Sequence, residues 1–285
     1  MLNSEHQAWL DCRSAQDYRA GHFPNAALFS WPELKVRLNE LPAAPANLGL
    51  IASEVHLADI RSFLREKGYN INACLTDIEF ANLAEPGLVR GNSSMRLWSP
   101  NPFLETTLKQ YLNLDPNLTS PQALDLGCGG GRDAVYLAEQ GWQVTAIDQQ
   151  ARVIERAKTL AKHNAVDVDW RCCDLRSTDC LPTQSFDLIL MNRFLNRALY
   201  PYMRAHTRPG GYVLIHTFAE GVEAFGSPRN PNLIVKKHEL AKEFVEFEVI
   251  VDKISRIEDG RPVASFLARR LEENKHDGYD SHRTF

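Results

Sequence analysis

Leu124-Asp125-Leu126-Gly127-Cys128-Gly129-Gly130-Gly131-Arg132-Asp133 decides the reading of this 285-residue chain. Ala123 to Leu126 is a short apolar strand, and the spacing from about Arg132 to Gln140 predicts a helix closed by Gly141. Glycine at 127, 129 and 131 lets the backbone turn sharply and approach a ligand with no Cβ in the way. The helix that follows points its amide N–H groups at whatever lies there. A lone glycine cluster is weak evidence, because a plain tight turn also explains it. Its setting is stronger: the strand Gln143 to Ile147 ends at Asp148, where a carboxylate can accept both hydroxyls of a ribose.

Downstream the alternation continues. A helix is expected from about Ala151 to His163, with Val153, Ala157 and Leu160 on one side. Val166 to Cys172 alternates as a strand, and Phe186 to Met191 is a nearly continuous apolar strand of the kind buried on both faces. Pro201 suits the first turn of a short helix through His206. Pro209-Gly210-Gly211 then turns the chain into a strand from Tyr212 to Phe218. Strand–helix alternation of this kind implies an α/β fold with a doubly wound, mostly parallel sheet. Phe247 to Ile257 and Val263 to Arg269 flank Asp259-Gly260, a hairpin signal, so the last strands are expected to be antiparallel.

Upstream, the first 85 or so residues read as a small α/β domain. Ala8-Trp9-Leu10 and Leu48 to Ala52 are strand-like, Asp17 to Ala20 is a helical turn ended by Gly21, and Ile71, Ala73 and Leu75 alternate. Val55 to Lys67 has helix spacing, with Val55, Ile60, Phe63 and Leu64 on one broad face and Gly68 as the stop. Glu85 to Pro102 is rich in proline, glycine and serine, which marks a linker or an irregular lid. The expected divisions are residues 1–85, a linker at 86–102, a second domain at 103–271 that opens with a helix from Phe103 to Leu112, and a polar tail at 272–285.

With 44% hydrophobic and 24% charged residues the chain can bury a core, and wholesale disorder is excluded. A formal charge of −4 gives no broad electrostatic reason to bind nucleic acid or an anionic membrane. No apolar run is long enough to span a membrane, and the amino terminus lacks an export signal, so a cytoplasmic location is expected. The six cysteines, at 12, 74, 128, 172, 173 and 180, include no C-x-x-C pair, so reduced structural thiols are expected rather than disulfides or zinc.

The glycines run G-x-G-x-G rather than G-x-G-x-x-G, with Asp125 two residues before the first. That acid is badly placed for a pyrophosphate and well placed for a cationic or zwitterionic ligand. Asp174-Leu175 offers a second carboxylate where an adenine amino group can be held. These features favour S-adenosylmethionine over NAD. Asp148 can instead cap the helix near Ala151, and Asp174 can be a plain turn residue.

On these residues the segment Ala123 to Phe218 resembles a class I S-adenosylmethionine-dependent methyltransferase with a Rossmann-like sheet. The resemblance implies that Asp125, Gly127, Gly129, Gly131 and Arg132 form the cofactor loop. It implies that Asp148 holds the ribose, that Asp174 and Leu175 flank the adenine, and that Asn192-Arg193 ends the fourth strand beside the methyl group. Arg96-Leu97-Trp98, Gly131-Arg132-Asp133, Arg193 to Arg197 and Pro228 to Pro231 are similar to the tellurite-resistance-type branch, whose members resemble small-molecule thiol or chalcogen methyltransferases. A small-molecule methyl acceptor is the expected partner. Arg193, Arg197 and Arg229 can clamp an oxyanion or thiolate, and His216 can accept a proton if it faces the pocket. Arg197 can equally be a solvated side chain, His216 a satisfied core residue, and Tyr200 and Trp98 either site walls or core.

Trp9 to Arg13, Asp17-Tyr18 and Gly21-His22-Phe23-Pro24-Asn25-Ala26 resemble a rhodanese domain, a likeness that extends through Leu75. The family's catalytic cysteine would fall at Ala52, followed here by Ser53-Glu54-Val55-His56-Leu57-Ala58. A persulfide cannot form on alanine, so this domain is expected to be inactive in sulfur transfer and to serve as a structural, protein-docking or regulatory part. A non-catalytic sensor that binds the cofactor and signals through this domain is the alternative reading.

Overall fold

The computed structural model describes residues 8–83, 87–112, 114 and 118–272. The chain divides into two compact units, Met1–Pro100 with Gly130–Arg132 and Glu155–His163, and Asn101–Gly129 with Asp133–Ile154 and Asn164–Phe285. The expected break at Glu85 and Pro86, and the tail beyond residue 272, lie outside the described residues.

The first unit contains β1 (Trp9–Asp11), α1 (Ala15–Ala20), β2 (Ala26–Leu28), α2 (Trp31–Leu34), β3 (Asn47–Ala52), α3 (Glu54–Glu66), β4 (Asn70–Thr76) and α4 (Asp77–Ala81). Its four strands lie in the order β2-β1-β3-β4, all parallel. Central β3 is apolar on both faces, with Leu48, Leu50, Ile51 and Ala52 all fully buried. Gly49 permits a close approach there: a Cβ would lie 2.5 Å from the Trp9 ring. At the end of β1, Asp11 forms a buried ion pair with Arg13 at 2.6 Å, and Arg13 also donates to the Gly21 carbonyl.

Two local expectations shift. Val55 is 82% exposed, so the buried stripe of α3 consists of Ile60 and Leu64. As the second residue of the helix, Val55 lies in its exposed first turn although its spacing fits the face. A register shift in the β3–β4 pairing at Leu48/Gly49 breaks the alternation of β4. Ile71 joins the core that holds Leu10 and Leu50, while Leu75 joins the one that holds Trp9 and Phe23. Residues 87–100 have no helix or strand but are pinned to this unit. His22 and Val89 exchange backbone hydrogen bonds, Met95 N–H donates to Ala26, and the Tyr18 hydroxyl donates to the Ser93 carbonyl.

The second unit carries α5 (Pro102–Gln110), β5 (Gln122–Leu126), α6 (Arg132–Glu139, which opens in the first unit), β6 (Gln143–Asp148), α7 (Ala151–His163, shared with the first unit) and β7 (Asp169–Cys172). β8 (Phe186–Asn192), α8 (Tyr200–His206), β9 (Thr207–Phe218), α9 (Glu239–Glu243), β10 (Phe247–Arg256) and β11 (Pro262–Arg270) follow. The seven strands lie in the order β10-β11-β9-β8-β5-β6-β7; β5 to β9 pair in parallel, and β11 is antiparallel to both of its neighbours. Every residue of β8 is buried, as its continuous apolar run requires.

β9 starts earlier than the sequence suggests. Thr207 already pairs with Phe186, and Pro209-Gly210-Gly211 forms a bulge opposite Asp187 rather than a turn ahead of the strand. A Cβ on Gly211 would lie 3.0 Å from the Arg208 and Asp187 carbonyls, so only glycine fits the fold-back. Asp187 pins this end of the sheet, accepting from Gln122 N–H and from Arg208. The cysteine expectation also needs correction: Cys173 and Cys180 are joined as a disulfide, because the loop after β7 brings their Cα atoms to 6.0 Å. Cys12, Cys74, Cys128 and Cys172 are free.

Candidate functional site

β5 and β8 are neighbours although β6 and β7 come between them in sequence. Connections from their carboxyl ends therefore leave in opposite directions and open a crevice, the usual ligand position in such sheets. The glycine loop forms one wall. Gly127, Gly129 and Gly131 have φ of 77°, 53° and 80°, the left-handed region that favours glycine. Gly127 and Cys128 donate their N–H groups to the Ile147 carbonyl, which ties the loop to β6. Phe194 lies against Gly127 so closely that a Cβ there would sit 2.5 Å from its ring.

Asp148 does two things. One oxygen accepts from Gly129 N–H at 3.1 Å, fixing the loop, and the other accepts from Gln150 N–H at 2.9 Å, holding the turn into α7. A cavity of ≈ 420 Å³ opens beside it, walled by Gly127, Asp148, Asp174, Leu175, Phe194 and Leu195 among others. Asp174 is paired with Arg176 at 2.6 Å, and that hydrogen bond holds its carboxyl below the usual range. Leu175 is buried.

Asp125 lies deeper, 2% exposed, and burial followed by the charges of Asp133 and Asp148 pushes its carboxyl well above the usual range. Its Oδ2 has no hydrogen-bond partner among the described residues, and neither does Oδ1 of the buried Asn192. Asp125 pairs in register with Leu190, so Asn192, two residues on, faces the same side of the sheet. Asp133 holds Asn192 there by accepting from its Nδ2 at 2.9 Å, and also accepts from Asn101 N–H at 2.7 Å. Idle acceptors at such depth are costly unless a donor or a cation meets them. A ligand with an ammonium or sulfonium charge, next to a cavity whose rim carries the carboxylates of Asp148 and Asp174, fits this donor set. S-adenosylmethionine is such a ligand.

The remaining sequence-predicted residues separate. Arg132 starts α6, and its guanidinium donates to the Asn39 and Leu41 carbonyls within the first unit. Arg193 follows β8 with φ of 55°, its guanidinium 4.9 Å from the centre of the Phe218 ring. Arg229 is exposed and donates to the Gly226 carbonyl. Arg197 is neither a clamp nor a solvated side chain. It pairs with Glu239 at 2.7 Å and donates to the Asn232 and Ile234 carbonyls, so its donors are already taken. Tyr200 is a core residue packed on Phe244, and Trp98 is buried under the Arg96 guanidinium.

His216 also departs from its expected role. The ring is buried, and burial together with Arg193 pushes its pKa down to about 4. Asn101 accepts from Phe103 N–H through Oδ1, so its Nδ2 faces His216 Nδ1 at 2.7 Å. Nδ1 is therefore the acceptor and the ring proton sits on Nε2. No lone pair remains to take a proton from an acceptor molecule, so His216 can only donate. Asn101, Asp133 and Phe194 were not assigned roles from sequence. The Asn101-Pro102 pair signals a helix start, but nothing local signals a partner 115 residues away.

Fold and site together fit an S-adenosylmethionine-dependent methyltransferase domain of class I. Residues 123–211 match the methyltransferase domain family. Over 318 aligned residues, covering 92% of this chain and 93% of its own length, an uncharacterized protein of Schizosaccharomyces pombe is 25% identical. The ubiquinone biosynthesis O-methyltransferase of Rickettsia conorii is 29% identical over 48% of this chain, and that of Xanthomonas oryzae pv. oryzae is 31% identical over 40%. The chain spans about half the length of these two enzymes, 47% and 50%. Among solved structures, TehB from Haemophilus influenzae is similar at 19% identity and a TM-score of 0.46, over 67% of this chain and 82% of its own. No described helix is long and apolar enough to cross a membrane, and the described residues contain no cluster suited to a metal ion.

Proposed function

We propose that this chain transfers a methyl group from S-adenosylmethionine to a small thiol or chalcogen oxyanion, with a first domain that is rhodanese-like and idle in sulfur transfer. The observation that carries the reading is the buried, unpartnered carboxylate oxygen of Asp125 below the glycine loop. The bound cofactor supplies an electrophilic methyl. Asp125 and Asn192 hold its cationic end, Asp148 its ribose, and Asp174 with Leu175 its adenine, while Phe194 closes the cavity from the β8 side. Methyl transfer needs the acceptor in line with the methyl, so positioning supplies much of the rate and no general base is required. His216 has its only lone pair occupied, which favours an acceptor that ionises unaided, as thiols and chalcogen oxyanions do, over a neutral hydroxyl.

In the first domain Ala52 stands where the family's sulfur nucleophile would be, and the Glu54 N–H at the start of α3 is met by Asp77 Oδ1 at 3.3 Å. A carboxylate there disfavours an incoming anion. Cys12 is no substitute, because burial, then Asp11, pushes its thiol far up and away from the reactive thiolate.

Calorimetry with S-adenosylmethionine and its demethylated product tests cofactor binding. Micromolar binding, weakened at least tenfold in Asp148→Ala, is expected. No binding, or undiminished binding in the variant, overturns the reading. Turnover is then assayed with a panel of thiols, selenite and tellurite. A chain that binds the cofactor and methylates none of them is a sensor rather than an enzyme for this acceptor class. Thiosulfate-to-cyanide turnover, measured with and without Cys12→Ser, is expected to be nil.

A further inference from the structure

Arg193 follows β8, Phe218 ends β9 and Arg261 immediately precedes β11. β8 and β9 are parallel and β11 is antiparallel to β9, so these three residues meet on one rim of the sheet, the same rim as the glycine loop after β5. The two guanidiniums lie 4.9 and 4.8 Å from the centre of the Phe218 ring. Two like charges at one ring repel unless an anion offsets them.

Among the described residues the carboxylate that acts on Arg193 is Asp259, and it is engaged by Arg261, which reaches it through Nε at 2.8 Å and Nη2 at 2.7 Å. Arg193 makes no side-chain hydrogen bond or ion pair among the described residues. Five other arginines of this unit behave differently. Arg171, Arg176, Arg197, Arg204 and Arg208 each face a carboxylate. The Arg193 backbone is fixed as well, by its N–H donated to the His216 carbonyl at 2.8 Å. A cation held in place with open donors, beside a second arginine and a planar apolar wall, is the arrangement that receives a carboxylate or oxyanion.

We propose that Arg193, Arg261 and Phe218 form the seat of an anionic group on the methyl acceptor, a carboxylate or an oxyanion. The inference rests on the methyltransferase reading above and narrows its substrate class. It adds Arg261, which no sequence motif marks, and it leaves Arg229 out, since that side chain turns back to Gly226. It also agrees with the geometry of His216, whose occupied Nδ1 leaves an acceptor to arrive already ionised.

The test uses the full chain in low-chloride buffer, titrated first with S-adenosylhomocysteine and then, when loaded, with benzoate, its neutral isostere benzamide, and sodium selenite. Benzoate or selenite is expected to bind at least about tenfold more tightly than benzamide. Arg193→Gln and Arg261→Gln are each expected to weaken the anion about tenfold, with S-adenosylhomocysteine binding as in wild type, which also shows that both variants fold. Arg261→Lys, which keeps the charge, is expected to retain most of the anion affinity. Equal binding of benzoate and benzamide, no binding of either anion, or anion binding untouched in both glutamine variants overturns the proposal. Failure of S-adenosylhomocysteine to bind the wild type is a different result, read before any anion is added, and it sinks the methyltransferase reading instead.

Discussion

Replacing Gly127 by alanine separates two physical costs, and Gly129→Ala supplies the control. Both residues have left-handed backbones, φ 77° and 53°, so each alanine bears a conformational cost of about 1 kcal/mol. At Gly129 nothing lies within 4 Å of the new Cβ, so that cost stands alone. At Gly127 the Cβ would fall 2.5, 2.7 and 2.8 Å from Cγ, Cδ1 and Cβ of Phe194. Two of these atoms belong to the stem and root of the ring, so a small rotation at the far end of the side chain cannot relieve the overlap. Phe194 also packs against the core formed by Leu126, Ile189 and Ile215, so moving it disturbs buried neighbours. Overpacking of this kind costs about 2 kcal/mol more, for a total of about 3 kcal/mol. Thermal unfolding followed by circular dichroism should then show Tm lowered by about 6–12 °C for Gly127→Ala and about 2–4 °C for Gly129→Ala. Phe194 walls the cavity, so the first variant should also lose affinity for S-adenosylhomocysteine. Equal Tm shifts in the two variants would refute the argument that Phe194 dictates glycine at 127.

Asp125→Asn should make the ligand-free protein more stable while weakening S-adenosylhomocysteine at least about tenfold by calorimetry. A carboxylate whose folded pKa is raised contributes stability that is full below its unfolded value, near 3.9, and is lost as pH rises through the folded value. Denaturant unfolding should therefore show a decline above about pH 4 that the variant lacks. His216 has the opposite sign, since its folded pKa is lowered to about 4. Its contribution is present above about pH 6.5 and is lost as pH falls towards 4, and its ring resonances should stay in the neutral form at pH 5.5 by NMR. Removing the buried partner of Arg13 with Asp11→Ala leaves a guanidinium stranded, and the first unit should lose about 3–5 kcal/mol in urea unfolding. A change below 1 kcal/mol would show the pair to be dispensable.

The parallel core of the second unit was readable because β5, β6, β8 and β9 carry runs buried on both faces and each βα junction carries its own local signal. Phe186 to Met191, Gln143 to Ile147 and the glycine loop fall where their patterns put them. Features that depend on distant partners were not readable. Val55 fits the apolar stripe of α3 by spacing, yet the sheet does not reach it. Pro209-Gly210-Gly211 has the composition of a turn but is a bulge, because Thr207 already pairs with Phe186. The Cys173–Cys180 bridge depends on the path of a loop that carries no pattern. Within the site, carboxylates at strand ends stood out, whereas Asn101 and Arg261 are ordinary surface residue types until the fold brings them to His216 and Phe218. Arg197 and Arg193 look alike in sequence, and the fold tells them apart by setting Glu239, 42 residues on, against Arg197.

The junction of β5 with β8 has a consequence for how the molecule assembles. β5 meets β6 over a short span, 21 residues between Gln122 and Gln143, whereas Gln122 and Asp187 are 65 apart. Pairings between remote segments form slowly, because a long chain must be ordered before any contact rewards it. A long-range seam thus divides the sheet into two halves, β5-β6-β7 and β8-β9-β11-β10, and the second half holds a remote pairing of its own, Phe218 with Val263. Asp125 stands on one side of that seam and Asn192 on the other, each with an oxygen awaiting a partner. A ligand gripped by both ties the halves together, and at a hundred times its Kd it would add about 2.7 kcal/mol to their union.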